Sequence, residues 1–176
     1  MNLIKVQQEK VFLHWYTLLL DKILILTCSH FYVSRLSIPE YAMSLAHVAS
    51  LRSEDPYRKV GAAALDFDNR VIGTAYNGLA PGYDPPTDFW NDRDARQKFM
   101  LHAEVNLCSL FVRGQAKIIA TTTMPCTSCM QTLCAYGIKE IYYDEIYKAS
   151  DAPIIAEKYE IQLVQITHYA KANLTL

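Results

Sequence analysis

The sequence predicts an α/β fold in which helices pack on a single mixed sheet. Two neighbouring apolar runs joined by a short polar turn indicate a β-hairpin, whose strands are antiparallel. After the hairpin, segments with helical periodicity alternate with short strand-like segments, and such crossover connections make the later strands parallel. A chain of 176 residues is long enough to bury a core around such a sheet as one domain.

The first element with clear boundaries is a helix. Ser37 and Glu40 stand three residues apart in the stretch SIPE, which is the arrangement of a capping box. Apolar residues then recur at helical spacing until Pro56 interrupts the pattern. These signals predict a helix over residues 38–53.

The hairpin comes next. The stretches VGAAALDF and RVIGTAY are separated by turn residues at Asp68 and Asn69, which predicts two antiparallel strands. Residues 77–98 are then rich in Pro, Gly, Asn and Asp, which predicts a long loop. Long loops in compact domains are usually functional or disordered.

The rest of the chain alternates between helices and strands. The pattern predicts a helix over 102–113, a strand near 116–123, a helix from Cys126 to Tyr136, a strand at 139–144, and a last helix and strand within 151–166.

The first part of the chain, residues 1–36, is treated as an apolar N-terminal extension to a domain at 37–176. Its long apolar run is interrupted by His14, Asp21 and Lys22, so no clean stretch of about 18–20 apolar residues remains for a membrane span. The same charges shorten the apolar core that a signal peptide needs. We expect an extra helix that packs on the domain or on a partner subunit; membrane contact and a functionally minor extension stay open as alternatives.

Charge and cysteine content narrow the class of protein. The formal net charge is −1, so no basic surface for a long nucleic acid is expected. Five cysteines, two of them in a CxxC, indicate reduced thiols in an intracellular chain rather than a set of disulfides. We therefore expect a cytoplasmic protein with no membrane partner.

A metal site is predicted at two helix starts. Cys126 and Cys129 are three residues apart, so both sulfurs lie on one face of the predicted helix. Together with His102 they form a ligand set that suits Zn²⁺, and three protein ligands leave a fourth position for water, as in catalytic zinc sites. Cys108 and Cys134 point elsewhere by helix geometry and are expected to be core thiols.

Glu104 is the candidate catalytic residue. Water bound to zinc is more acidic than bulk water, but its proton still needs a carrier, and a carboxylate two residues from His102 can take it and return it. The fragment HAE followed by PCxxC, with Cys126 24 positions after His102, is the combination found in zinc nucleobase deaminases.

On these motifs the chain resembles the cytidine deaminase superfamily over most of residues 39–166. Within the superfamily it looks most like the deoxycytidylate (dCMP) deaminases. The stretches that carry the resemblance are LRSEDPYRKVGAAAL, AYNGLAPG, HAEVN, PCTSC and GIKEIYYDEIYKASD. The resemblance implies a three-layer α/β/α cytidine-deaminase-like sandwich around a mixed sheet, here with the N-terminal helical extension.

The resemblance also implies an activity, which is hydrolysis of dCMP to dUMP with release of ammonia. It assigns zinc to His102, Cys126 and Cys129, and the proton shuttle to Glu104. It further implies a small-molecule nucleotide substrate, whose binding residues would be Asn77 at the sugar, the backbone of Ala103 at the pyrimidine, and Tyr147 as an aromatic wall of the pocket. A turn residue at Asn77 and a filler role for Tyr147 are the structural alternatives.

The residues that meet a 5′-phosphate stay open. The available cations are Arg58, Lys59, Arg93 and Arg96. Three aromatic residues of the long loop could cover the base or form a subunit contact, namely Tyr83, Phe89 and Trp90.

Regulation and assembly are expectations from the resemblance alone. Family members bind dCTP and dTTP as effectors and tend to form homo-oligomers, commonly hexamers. Ala75 stands where the family has glycine before the YNG motif, which puts that regulation in doubt. Two other functions stay open: a zinc deaminase acting on dCTP, guanine, tRNA or a polynucleotide, and a non-catalytic regulator on the same scaffold.

Overall fold

The structure is a computed structural model, and it describes residues 35–166. The predicted helix of the N-terminal extension lies outside the described residues. Within residues 35–166 no helix combines the length and the apolar character that crossing a membrane requires.

Helices and strands alternate through the described part of the chain. In chain order they are α1 (Ile38–Ser50), β1 (Gly61–Leu65), β2 (Val71–Tyr76), β3 (Gly78–Leu79), a short 3-10 helix (Phe89–Asn91), α2 (Arg93–Phe99), β4 (Met100–Leu101), α3 (Ala103–Cys108), β5 (Ile118–Thr123), α4 (Thr127–Ala135), β6 (Glu140–Glu145), α5 (Ala152–Lys158) and β7 (Gln162–Gln165).

The main sheet is mixed, as predicted. Its five strands lie in the order β2-β1-β5-β6-β7. β1 pairs antiparallel with β2 and with β5, whereas β5, β6 and β7 are parallel because α4 and α5 form the crossovers between them. The hairpin turn is confirmed: Asn69 adopts a φ of 61°, and the Asp66 carboxylate accepts from the backbone N–H groups of Asp68 and Arg70.

The sheet is covered by helices on both faces. Along β1, Ala62 and Ala64 join the core layer formed with α3, α4 and α5, whereas Ala63 and Leu65 join the layer formed with α1. This alternation follows from the two-residue period of a strand. The three-layer α/β/α sandwich around a mixed sheet is therefore confirmed.

Two predicted helices are shorter in the structure. The capping box at Ser37 and Glu40 is confirmed, but α1 ends at Ser50, and the next residues form tighter i→i+3 hydrogen bonds. The helix predicted over 102–113 ends at Cys108, where the Ser109 hydroxyl donates to the Asn106 carbonyl and competes with helical bonding.

The prediction of a long loop over residues 77–98 is wrong in part. The segment contains β3, the 3-10 helix and most of α2, and β3 pairs with β4 so that Gly78 faces Leu101. The Asp92 carboxylate caps α2 by accepting from the N–H groups of Asp94 and Ala95. The two-stranded ladder brings the end of β2 beside the start of α3.

Close packing between α1 and β1 generates a stability prediction. A Cβ atom on Gly61 would overlap the carbonyl oxygen of Ala46 and the amide nitrogen of Ser50, both backbone atoms that cannot turn aside. Gly61→Ala should lower the free energy of unfolding by about 3 kcal/mol, measured by urea denaturation.

Gly73→Ala is the matched control on the neighbouring strand. A Cβ there would meet only the side chains of Leu107 and Leu110, at 3.1 Å or more, and flexible side chains can adjust. We expect a loss of less than about 1 kcal/mol. Equal losses in the two variants would show that the α1–β1 approach is not tight.

Candidate active site

A cavity of about 310 Å³ opens beside the starts of α3 and α4. One side is formed by His102, Ala103, Glu104 and Cys126, and the other sides by the end of β2, residues of the α1–β1 connection, α2 and the segment after β6. The predicted functional residues other than Cys129 therefore line one pocket, and Cys129 lies buried beside it.

Three potential metal ligands meet at this pocket. His102 Nδ1 lies 3.5 Å from Cys126 Sγ and 3.3 Å from Cys129 Sγ, and the three ligand atoms lie within 4.8 Å of one another. Nitrogen and sulfur bound to one tetrahedral zinc ion are separated by about 3.6 Å, given the usual bond lengths. The donor atoms are therefore spaced as zinc requires, and this group could hold a zinc ion.

Local backbone structure explains why the ligands meet. Cys126 is the N-cap of α4, and its sulfur accepts from the backbone N–H of Cys129 at 3.4 Å. The peptide just before it is held by the segment that precedes α5, because the Ser150 hydroxyl donates to the Pro125 carbonyl at 2.6 Å. His102 is the N-cap of α3, so each helix presents its first residues to the pocket.

The ligand group is electrostatically coupled before a metal binds. Hydrogen bonds from Cys129 and then from His102 lower the pKa of Cys126 to about 4. The same hydrogen bond to Cys126, together with burial, raises the pKa of Cys129. The hydrogen bond to Cys126 raises the pKa of His102, while burial acts in the opposite direction. One thiolate is therefore present near neutral pH, which is the ionic form that zinc binds.

Glu104 is a buried carboxyl group in the first turn of α3, with 4% of its surface exposed. Burial raises its pKa, while its own backbone N–H and the nearby His102 lower it. A carboxyl group whose proton affinity is increased in this way is suited to take up and release a proton.

Comparison with known proteins agrees with this geometry. The profile of the cytidine and deoxycytidylate deaminase zinc-binding region matches residues 36–145. The chain belongs to this family.

Individual relatives support the assignment. Deoxycytidylate deaminase of Homo sapiens is 32% identical over 123 residues, which cover 64% of this chain and 68% of the human protein. ComE operon protein 2 of Bacillus subtilis is 36% identical over 124 residues, 66% of this chain and 64% of that protein. The crystal structure of the dCMP deaminase from cyanophage S-TIM5, in complex with dCMP and dUMP, shares the fold with a TM-score of 0.62 and 21% identity, over 76% of this chain and 99% of that one.

The structure places the predicted substrate-binding residues of this deaminase-family chain at the pocket. Asn77, Ala103 and Tyr147 all line it. Ala103 begins α3 and is fully buried, and its backbone N–H belongs to the helix turn whose donors have no partner within the helix. Tyr147 is partly buried and carries the Arg58 guanidinium 5.7 Å from its ring centre.

Three of the four candidate phosphate cations line the pocket: Arg58, Arg93 and Arg96. Lys59 is not among the lining residues, and its ammonium group donates to the Ser53 carbonyl instead. Arg96 already has two contacts, because its guanidinium lies 3.9 Å from the ring centre of Tyr57 and donates to the Trp90 carbonyl.

The loop aromatics do not line the pocket. Tyr83, Phe89 and Trp90 pack in a small cluster with Phe99, where Tyr83 stacks on Phe99 at 5.2 Å and Phe89 meets Trp90 edge to face at 5.1 Å. The suggestion that they cover the base is not supported by this placement.

The two remaining cysteines of the described part behave as core thiols. Cys108 is buried, and burial raises its pKa to about 11. Cys134 is partly buried and packs against the same core layer. All four cysteines between residues 35 and 166 are free thiols.

Sequence reasoning missed several residues of the pocket wall. They are Asp55, Tyr57, Val60, Gln97, Met100, Leu101, Thr123 and Met124. The stretch DPY preceding the hairpin offered one signal, since Asp before Pro favours a turn. The residues of α2 and β4 gave none, because the ladder that places them is formed by contacts distant in sequence.

The lowered pKa of Cys126 predicts selective alkylation. In metal-free protein, iodoacetamide should modify Cys126 much faster than Cys108 at about pH 6, because the pKa values of the two thiols are about 4 and about 11. The rate at Cys126 should change little between about pH 5 and about pH 8, since the thiolate is already fully formed above its pKa. Peptide mass spectrometry measures both rates.

Zinc is the control for this experiment, because a bound ion should protect Cys126. A rate at Cys126 that increases about tenfold with each pH unit over the same range would be the behaviour of an ordinary thiol. That result would contradict the coupling of Cys126 to Cys129 and His102.

Proposed function

We propose that the protein hydrolyses dCMP to dUMP and releases ammonia. The observation that carries the proposal is the convergence of His102, Cys126 and Cys129 beside the buried carboxyl of Glu104, in a pocket that also presents arginines. The human relative supports it through its name, deoxycytidylate deaminase.

In this proposal His102, Cys126 and Cys129 hold the zinc ion, which when bound lowers the pKa of a water molecule and so supplies a nucleophile near neutral pH. Three protein ligands leave room for that water. The Ala103 backbone and the pocket wall would hold the pyrimidine ring against the site.

Glu104 would act as both base and acid. Its carboxylate accepts the proton that the attacking water loses and delivers it to the ring nitrogen of the pyrimidine; it then takes the remaining proton of the added hydroxyl group and delivers it to the departing amine, as the carbonyl of the product forms. Its burial supports this role, because a carboxylate with a raised pKa holds a proton long enough to pass it on. The products are then a uracil nucleotide and ammonia.

A nucleotide substrate is favoured over a free nucleoside by the charges of the pocket. Three guanidinium groups line it, whereas one of its two carboxylates, Asp55, is occupied in accepting the backbone N–H groups of Tyr57 and Arg58. Guanidinium groups bind phosphate through charged hydrogen bonds. Of the three, Arg58 is the best candidate, because it borders the pocket next to Tyr147 and its own polar contacts are long, at 3.4 Å to Thr123 and 3.8 Å to Glu145.

A cytoplasmic location is part of the proposal, since Cys126 and Cys129 must stay reduced to bind zinc. Control by dCTP and dTTP and assembly into a hexamer stay predictions of the family resemblance.

The catalytic role of Glu104 has a direct test. Glu104→Gln should retain about one zinc per chain but lose about 1,000-fold or more in kcat on dCMP, because an amide cannot carry the proton. Ammonia release and metal analysis give the two readouts. Glu157→Gln, on the exposed side of α5, is the control and should behave as wild type.

The same assay should include dCTP, deoxycytidine, cytosine and guanine. Turnover of guanine, or of tRNA, with none of dCMP would favour a zinc deaminase with another substrate. Bound zinc with no turnover of any cytosine compound would favour a non-catalytic regulator.

The role of Arg58 in phosphate binding is tested by Arg58→Met, which keeps the aliphatic stem and removes the charge. KM for dCMP should increase at least about tenfold, because a charged hydrogen bond to phosphate is lost. The rate with deoxycytidine, which has no phosphate, should not change.

Arg70→Met, in the hairpin turn, is the matched control for lost positive charge. An equal loss of activity of Arg58→Met on dCMP and deoxycytidine would assign Arg58 to the structure of the loop and not to the phosphate.

A further inference from the structure

The Ser53 hydroxyl occupies a buried position next to the pocket. It lies just beyond α1, with 2% of the residue exposed. Its Oγ is 2.7 Å from Asn77 Oδ1 and 2.9 Å from the Asn77 carbonyl oxygen, and it accepts from the Asp55 N–H at 3.3 Å. A hydroxyl group has one hydrogen to donate, so Ser53 shares it between the two oxygens of Asn77.

The Asn77 carboxamide is held from several sides. Its Oδ1 also accepts from the Val60 N–H at 2.8 Å, and its Nδ2 donates to the Arg58 carbonyl at 2.9 Å. If the amide were flipped, its nitrogen would face the Val60 N–H, which is also a donor. Its oxygen would face the Arg58 carbonyl, which is also an acceptor. The orientation of the carboxamide is therefore fixed by its partners.

One donor of this carboxamide is left for a ligand. An amide nitrogen carries two hydrogens, and the bond to Arg58 uses one of them. Asn77 is 9% exposed and lines the same pocket as His102 and Glu104. The second hydrogen of Nδ2 is therefore available to a polar group of a molecule bound there.

We propose that Ser53 is a positioning residue that holds the Asn77 amide for a hydrogen bond to the 3′-hydroxyl of the substrate. This inference rests on the proposed function. In a deoxyribonucleoside 5′-phosphate the 3′-hydroxyl is the one free hydroxyl of the sugar, so it is the group that a single amide N–H can recognise.

Ser53 bonds to Asn77 through a side chain, whereas Val60 and Arg58 bond to it through main-chain groups. Its hydroxyl contacts both the carbonyl and the side chain of Asn77. Val60 also contacts both, because it accepts from the Asn77 N–H at 3.0 Å and donates to Oδ1. Ser53 and Val60 together therefore fix the side-chain torsion of Asn77, which sets where the second amide hydrogen points, and the Ser53 hydroxyl is the part of this clamp that a substitution can remove.

The test compares Ser53→Ala with wild type on dCMP and on 2′,3′-dideoxycytidine 5′-monophosphate, which lacks the 3′-hydroxyl. With dCMP, kcat/KM should fall about five- to tenfold, the effect of losing one hydrogen bond that orients a donor. With the dideoxy substrate, kcat/KM should be equal for the two proteins, because this substrate has no 3′-hydroxyl for the Asn77 amide to contact. Ser53→Thr keeps the hydroxyl and should restore most of the loss.

Ser50→Ala is the matched control. This neighbouring buried serine donates to the His47 carbonyl, so its loss should leave both substrates unaffected. Circular dichroism and zinc content confirm that each variant is folded. If Ser53→Ala is insoluble, Ser53→Cys, which has a much weaker donor, takes its place in the same comparison.

The possible outcomes distinguish failure of the role inferred for Ser53 from failure of the proposed function. Equal losses on both substrates would make Ser53 a purely structural residue and overturn the inference while dCMP deamination stands. A wild-type protein with zinc bound but no turnover of dCMP would overturn the proposed function, and the inference with it.

Discussion

Two helix starts fixed side by side on one face of the sheet are the constraint on which the site depends. α3 begins after His102 and α4 begins after Cys126, and both helices bury apolar residues in the same core layer. Packing in that layer holds the imidazole and the two sulfurs at separations that suit one metal ion. Because the ligands are placed by the fold, little conformational freedom remains to be lost when an ion binds.

The same packing gives Glu104 its chemical character. An exposed carboxyl group would be ionised at neutral pH and would hold a proton only weakly. In the first turn of α3 the group is almost fully buried, and burial raises its pKa. Burying a carboxylate lowers the free energy of unfolding. Packing in the core layer around α3 offsets this cost and keeps Glu104 buried. The fold and the proton chemistry are therefore set by one packing arrangement.

The sequence predicted the parts that local patterns determine. The capping box, the hairpin and the crossovers depend on residues close in sequence, and PCxxC with HAE marked the site because each motif begins a helix. The β3–β4 ladder and α2 were missed because their few residues have no periodicity and are placed by tertiary contacts. The hydrogen bond from Ser53 to Asn77 could not be predicted for the same reason, since the two residues are 24 positions apart in the sequence.

In the proposed function, selectivity for a nucleotide depends on the fixed placement of the pocket residues as well as on their charge. The Asn77 amide donates to the main-chain carbonyl of Arg58, and both residues line the pocket, so their positions are linked by a hydrogen bond. Ser53 joins these residues to the end of α1, and the β3–β4 ladder joins them to the start of α3. The separation between the zinc ligands and Arg58 is therefore set by the fold. In the proposed function, the substrate that contacts both the zinc ligands and Arg58 is a nucleotide, which carries a base, a sugar and a phosphate in one molecule; a free base or a nucleoside lacks the phosphate.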